Sequence, residues 1–229
     1  MVKFFIGLTF TIGCLIMACN NLDSNLNSNI KDSLMLINAS PDAGAINIAF
    51  NNQIKNPIPL AFMDNTSYVL IDKGNLKQVV TTVPPSSIEI LSIPMLLKSS
   101  TAYSIFFTGQ IIGGNAQYVA TADSLKNPNR NRAKYRFINL SQDSRTLDLR
   151  LLSNDSILIP NIPFGAASNF NQIKPAKYTF KIISRDTNIK ITDTITHTLS
   201  NGKIYTFWAK GLVKGADKKA LGIKIIQNK

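Results

Sequence analysis

Leu36-Ile37-Asn38-Ala39-Ser40-Pro41-Asp42 returns 101 residues later as Phe137-Ile138-Asn139-Leu140-Ser141-Gln142-Asp143. At the same offset Ile46-Asn47-Ile48 matches Leu147-Asp148-Leu149; Ile58-Pro59-Leu60-Ala61 matches Ile162-Pro163-Phe164-Gly165 at 104, and Tyr103 and Gly109 match Tyr205 and Gly211 at 102. Four islands in one order at nearly one offset mark a tandem duplication. The pattern predicts one unit over 33–125, a basic linker over 126–133, and a second unit over 134–229.

Periodicity says what each unit is. Leu147, Leu149 and Leu151 alternate with Asp148 and Arg150, and Tyr178, Phe180 and Ile182 with Thr179 and Lys181, which is the period of a half-buried strand. Ile189 and Ile191, Tyr205 and Phe207, and Leu221, Ile223 and Ile225 continue it, with turn signals at Asn201-Gly202 and Lys214-Gly215. No helical stripe follows residue 19. About seven short strands per unit predict an all-β chain: two tandem antiparallel β-sandwich domains, immunoglobulin-like or transthyretin-like.

The N-terminus reads Met1-Val2-Lys3 and then an apolar run from Phe4 to Ala18. As a helix this run reaches about 22 Å, short of the hydrocarbon core of a bilayer, so it reads as a signal-peptide core over 1–18. Its end, Ile16-Met17-Ala18-Cys19, resembles the bacterial lipobox. The resemblance implies cleavage after Ala18, lipid attachment at Cys19, and membrane association through that N-terminal anchor. Cys14 falls within the removed segment, so Cys19 would be the only cysteine kept and no internal disulfide could form. Residues 19–32, rich in Asn and Ser, read as a flexible tether. The expected location is the bacterial cell envelope, lipid-anchored at the outer membrane; Asn20 does not separate its periplasmic face from its outer one.

The stretch from Ile37 to Ile48 resembles the signature V-H-A-S-P-D-A-P-A-V-D-V of the domain-of-unknown-function family 4397, and Tyr205-Thr206-Phe207-Trp208-Ala209-Lys210-Gly211 resembles its late Y-T-x-x-x-x-G element. Asn38 and Asn139 stand where the family favours His, and Gln142 replaces the proline of the second signature. The resemblance covers both repeats and implies an exported or lipid-anchored envelope protein with two copies of the domain. It implies no activity.

The residues that could carry chemistry are few. With one histidine, two cysteines and Glu89 as the only glutamate, zinc fingers and most His-dependent sites are excluded. Glycine-rich phosphate loops do not occur. His197 shares strand parity with Ile195 and Leu199 and reads as a packed residue rather than a general base. Asp64, Asp72 and Asp123 read as loop residues and give no acid–base pair. Ser40 with Asp42, and Ser141 with Asp143, form the repeated motif; the preferred reading is structural, with each Asp accepting backbone N–H groups in the turn between the first two strands of its unit. Trp208, of opposite parity to Tyr205 and Phe207, reads as packing against a neighbouring domain in preference to stacking on a sugar.

Charge divides unevenly. Residues 33–125 carry four basic and five acidic residues, net −1, whereas 126–229 carry 19 basic and six acidic, net +13. Arg130, Arg132, Lys134 and Arg136 cluster at the linker, and Lys214, Lys218, Lys219 and Lys224 near the end. Such a domain suits anionic lipid headgroups, other anionic envelope polymers or another envelope protein, and nucleic acid is not an expected partner in vivo. A composition of 24 Asn and 19 Lys, as an A/T-rich genome encodes, gives the same charge without selection for it. Together these readings predict a non-enzymatic, cofactor-free and metal-free lipid-anchored module for binding or structural interaction, the alternative being an accessory binder or hydrolase of surface polysaccharide.

Overall fold

A computed structural model describes residues 32–72, 76–184 and 193–229. Ala18, Cys19, nearly all of the tether, Ile189 and Ile191 lie outside the described residues.

The described chain is all β apart from one 3-10 turn at Asp217–Lys219. The first unit holds β1 (Asp32–Asn38), β2 (Asn47–Phe50), β3 (Gln53–Ile54), β4 (Val69–Ile71), β5 (Leu76–Thr82), β6 (Glu89–Leu96), β7 (Ala102–Thr108) and β8 (Gln117–Asp123). They form two sheets, β4-β1-β7-β8 and β3-β2-β5-β6. The second unit follows with β9 (Ala133–Asn139), β10 (Leu147–Leu151), β11 (Ile157–Ile162), β12 (Asn171–Ile173), β13 (Ala176–Ser184), β14 (Thr194–Leu199), β15 (Ile204–Lys210) and β16 (Gly222–Gln227). Its sheets, β12-β9-β15-β16 and β11-β10-β13-β14, repeat the order strand for strand. With strands lettered A to H, each unit is D-A-G-H over C-B-E-F. Immunoglobulin sheets read A-B-E-D and C-F-G, so each unit is a two-sheet sandwich whose strand order is not the immunoglobulin one. Every ladder is antiparallel except β1 with β7 and β9 with β15. The chain crosses from the second sheet back to the first before β7 and before β15, so each arrives pointing the same way as the strand that opened its unit.

Each unit closes a core between its two sheets. Leu34, Leu36, Ile48, Phe50, Val79, Ile105 and Phe107 fill the first; Phe137, Leu147, Leu149, Phe180, Ile182 and Phe207 fill the second. A third core lies between the units. Met35 and Ile37 of β1, Phe106 of β7, Ile138 of β9, Trp208 of β15 and Ile226 of β16 point away from their own sandwich and pack together. The two D-A-G-H sheets are therefore apolar on both faces, and the molecule has four sheet layers.

Three sequence readings change. Asp123 is no loop residue: it ends β8, buried. Arg136 leaves the linker's surface cluster because it is 2% exposed and paired with Asp123. The third island of the repeat registers at 102, not 104. Leu36 N donates to Thr66 Oγ1 as Phe137 N does to Ser168 Oγ, both at 3.0 Å. Asn38 Nδ2 reaches Leu60 O at 2.9 Å as Asn139 Nδ2 reaches Ile162 O at 3.1 Å. Leu60 thus corresponds to Ile162. The carbonyl that meets the buried Asn sets the register, and the Ile-Pro likeness slides past it by two residues.

Candidate functional site

The signature loops close one end of both sandwiches. Asn38 is fully buried; its Nδ2 donates to Gly44 O and Leu60 O at 2.8 and 2.9 Å, and its Oδ1 accepts from Ser40 N at 3.0 Å. Asn139 repeats this with Arg145 O, Ile162 O and Ser141 N, and its Oδ1 also accepts from Ser144 Oγ. An amide with two donors and an acceptor suits the point where two segments converge, the loop between the first two strands and the stretch that carries Leu60 or Ile162. Ser40 Oγ donates to Gly109 O at 2.6 Å and lies 3.1 Å from Asp42 Oδ1.

Asp42 takes its backbone N–H groups not from its own turn between β1 and β2, as the motif alone suggests, but from the β7–β8 turn, which lies beside it because β1 and β7 are parallel neighbours. There Oδ1 accepts from Ile111 N at 2.9 Å and Oδ2 from Ile112 N at 3.1 Å. In the second unit both oxygens of Asp143 face one donor, Val213 N, at 2.9 and 3.1 Å, with Ser141 Oγ at 3.3 Å. The turn packs closely at Gly109 (φ +81°), where an added Cβ would sit 2.0 Å from Asn115 O. Its counterpart Gly211 (φ +74°) has Ala220 O at 2.4 Å. The two loop sets touch through Gln110 N, which donates to Gln142 Oε1 at 3.0 Å, and through the amide pair of the same two residues.

Between the units a buried polar network crosses the third core. Arg136 pairs with Asp123, donates from Nη1 to Ala122 O at 3.0 Å and from Nε to Thr206 Oγ1 at 3.0 Å. Tyr68 and Ser104 donate to Asp123 Oδ2 at 2.6 and 2.7 Å. Asn228 accepts from Thr206 at 2.6 Å and donates to Tyr68 Oη at 3.1 Å. Burial, and then the Asp123 carboxylate, push the Tyr68 hydroxyl well above the ordinary tyrosine range. Burial lowers the Arg136 guanidinium, and Asp123 opposes that shift. Beside this network Trp208 is fully buried, edge-on to Phe106 with ring centroids 6.1 Å apart.

The opposite end collects the linker and the other chain crossings. Ser33 of β1 lies beside Ala102 of β7, which lies beside Asp123 of β8, so the chain enters the first unit about 10 Å from where it leaves it. Lys134 Nζ donates to Ser124 O and Lys126 O, and Lys229 Nζ to Leu125 O and Asn127 Oδ1. Burial and the neighbouring Lys126 charge hold the Lys134 ammonium below its usual range. An open cavity of about 330 Å³ lies there, lined by Asn127, Asn129, Arg130, Asn201, Lys203 and Lys229 among others.

Elsewhere the geometry is plain. His197 is half-buried on β14, opposite Tyr178, with its ring 5.4 Å from that of Tyr205. Among the described residues no group of three His, Cys, Asp or Glu could hold a metal ion, and no helix is long and apolar enough to cross a membrane. Sequence reasoning missed the network of Tyr68, Ser104, Asp123, Arg136, Thr206 and Asn228. A usable signal was present: Leu34-Met35-Leu36-Ile37 and Phe207-Trp208-Ala209 are continuous apolar runs, which mark strands covered on both faces.

A family model described as Domain of unknown function (DUF4397) matches residues 33–150, spanning the first unit and the first two strands of the second. No curated protein matches the chain. Solved structures similar to it include the C-terminal domain of AlgF from P. aeruginosa, at 15% identity and TM-score 0.32, covering 43% of this chain and 99% of that one. Another is CBMbc, a family CBM26 module of Eubacterium rectale Amy13K in complex with maltoheptaose, at 10% identity and TM-score 0.28, covering 85% of this chain and 96% of that one. At such scores neither likeness enters the argument on function.

Proposed function

This chain belongs to the DUF4397 family, and on that premise we propose that residues 133–229 form a second copy of the same domain in a non-catalytic, lipid-anchored protein of the cell envelope whose role is binding or structural contact. The second copy is supported by the shared strand order and by the paired hydrogen bonds of Asn38 and Asn139. Anchoring is supported by the Ile16-Met17-Ala18-Cys19 sequence.

The observation that carries the reading is the layout of the ends. Chain entry lies at one end and both signature loop sets at the other, separated by seven-residue strands of roughly 23 Å. A body tethered through Cys19 would hold its entry end near the membrane and present the loops away from it. Within the motif, Asn38, Ser40 and Asp42 spend their hydrogen-bonding capacity on backbone groups, which favours a framework role.

Metabolic labelling with a clickable fatty acid tests the anchor. The expected result is label on the wild-type chain that disappears in Cys19→Ser; an unlabelled wild type removes the anchor. Turnover of an envelope glycan by the purified chain, lost in Asp42→Ala or Asp143→Ala, would replace the contact role with that of a polysaccharide hydrolase.

A further inference from the structure

The strongly basic second unit divides its charge between the two ends of the body. Lys214, Lys218 and Lys219 lie between β15 and β16, at the signature-loop end. At the other end, Lys126, Arg130, Lys174, Lys203 and Lys229 are all exposed, and Arg132 and Lys134 are half-buried among them. Lys134 N donates to Lys203 O, Gly202 N to Arg132 O, and Ile204 N to Lys229 O, so the linker, the β14–β15 turn and the segment after β16 form one surface. Of the acidic residues at this end, Asp123 is buried and already paired with Arg136, whereas Asp32 and Asp72 lie on the β1–β4 side of the first unit, at the start of β1 and just after β4. This is also the end from which residues 1–31 depart, since β1 begins there.

We propose that this linker end docks on anionic phospholipid headgroups of the membrane that holds the chain, with the cavity between Arg130, Lys203 and Lys229 receiving a headgroup phosphate. Charge complementarity and the departure point of the N-terminal segment select the bilayer as occupant. Clustered lysines and arginines attract an anionic leaflet only within about a Debye length, roughly 10 Å at 0.1 M salt, and a flexible tether of about 13 residues, with an r.m.s. span of roughly 20 Å, is short enough to let the cluster reach that range. Orientation at the membrane deepens the anchored reading above, yet the surface itself acts with or without the acyl chains.

Lysine footprinting reads it on the full chain. The protein is mixed with vesicles of phosphatidylcholine, with or without phosphatidylglycerol, and treated with an impermeant amine reagent; modified lysines are quantified by mass spectrometry. Lys126, Lys203 and Lys229 should be protected several-fold on the phosphatidylglycerol vesicles relative to phosphatidylcholine alone, with protection lost near 1 M salt, and Lys214, Lys218 and Lys219 should react equally on both. In Lys126→Glu/Arg130→Glu/Lys203→Glu the protection of Lys229 should vanish, whereas Lys214→Glu/Lys218→Glu/Lys219→Glu, with the same change in net charge, should keep it. Equal reactivity at the linker end on both vesicles, or protection at Lys214, Lys218 and Lys219 instead, overturns the proposal. So does a chain that polygalacturonate protects at the linker end while phosphatidylglycerol does not, which assigns the surface to an acidic polysaccharide. Failure of the anchor is read separately, as absence of both fatty-acid label and association with pure phosphatidylcholine vesicles.

Discussion

The first and second sandwiches share strand order, register and the hydrogen bonds of their signature loops, but they meet solvent differently. On the outer face of the second unit, Arg150 bonds Asp148 and Asp155 at 2.8 and 3.0 Å, and Lys181 bonds Asp155 at 2.8 Å. The same positions in the first unit carry Asn47, Ala49 and Val80. Among the described residues, seven of nine exposed large apolar side chains lie in the first unit, with only Leu152 and Ile157 in the second. What the units hold in common lies inside and at the loop end; what separates them lies on the surface. Divergence of this kind teaches that the two are interchangeable as frameworks and not as contact surfaces.

The largest expected effect comes from the seam where the two meet. Arg136→Met strands the buried Asp123 carboxylate and should cost about 3–5 kcal/mol by chemical denaturation. Pairing it with Asp123→Leu should recover most of that loss, because the cost lies in the unpaired charge. If the double variant were as unstable as the single, the loss would lie in the hydrogen bonds that Tyr68, Ser104 and Thr206 make to the pair and not in the unpaired charge.

Next in size are the signature aspartates, a direct comparison of equivalent positions. Asp42 uses its two oxygens on two N–H groups, whereas Asp143 uses both on one. Asp42→Ala should therefore cost about 2–3 kcal/mol and Asp143→Ala about 1. Equal losses in thermal or denaturant unfolding would mean that the second unit's turn is held by contacts other than Asp143.

The smallest effect belongs to the ion pairs on the outer face of the second unit. The Lys181 hydrogen bond, and then the Lys181 and Arg150 charges, hold the Asp155 carboxyl below its usual range. Because its folded value is depressed, the stability it adds is present above the unfolded carboxylate pKa and is lost as pH falls through the folded value. Asp155→Asn should slightly flatten that acid limb and leave alkaline behaviour unchanged. Exposure and salt keep the effect small. A large change at neutral pH would show that the outer face contributes more than its solvent exposure allows.

Much of the fold was legible in the chain. Alternation at Leu147, Leu149 and Leu151 and at Tyr178, Phe180 and Ile182 marks strands whose inner residues fill the second core. The parity of Trp208 already pointed to a neighbouring domain, and it packs there; the rest of the fusion of the units was hidden from such reading. Alternation identifies one buried face; Phe106, Ile138 and Trp208 sit on the other face of the same strands, and only the partner unit covers it. Asp123 and Arg136 looked like a loop acid and a linker base because their pairing joins different sandwiches. The signature was legible as a repeat, while its third island needed the carbonyls met by Asn38 and Asn139 to fix its register. Cys19 and Ala18, the most specific sequence signals, lie outside the described residues.

Calorimetry of the full chain, with and without Trp208→Ala, tests most directly whether the two sandwiches are one body. Wild type should unfold in a single transition with calorimetric and van't Hoff enthalpies in agreement, and the Trp208→Ala cavity should lower stability by about 3–5 kcal/mol across that whole transition. Two separate wild-type transitions, with only the second shifted by the substitution, would contradict it.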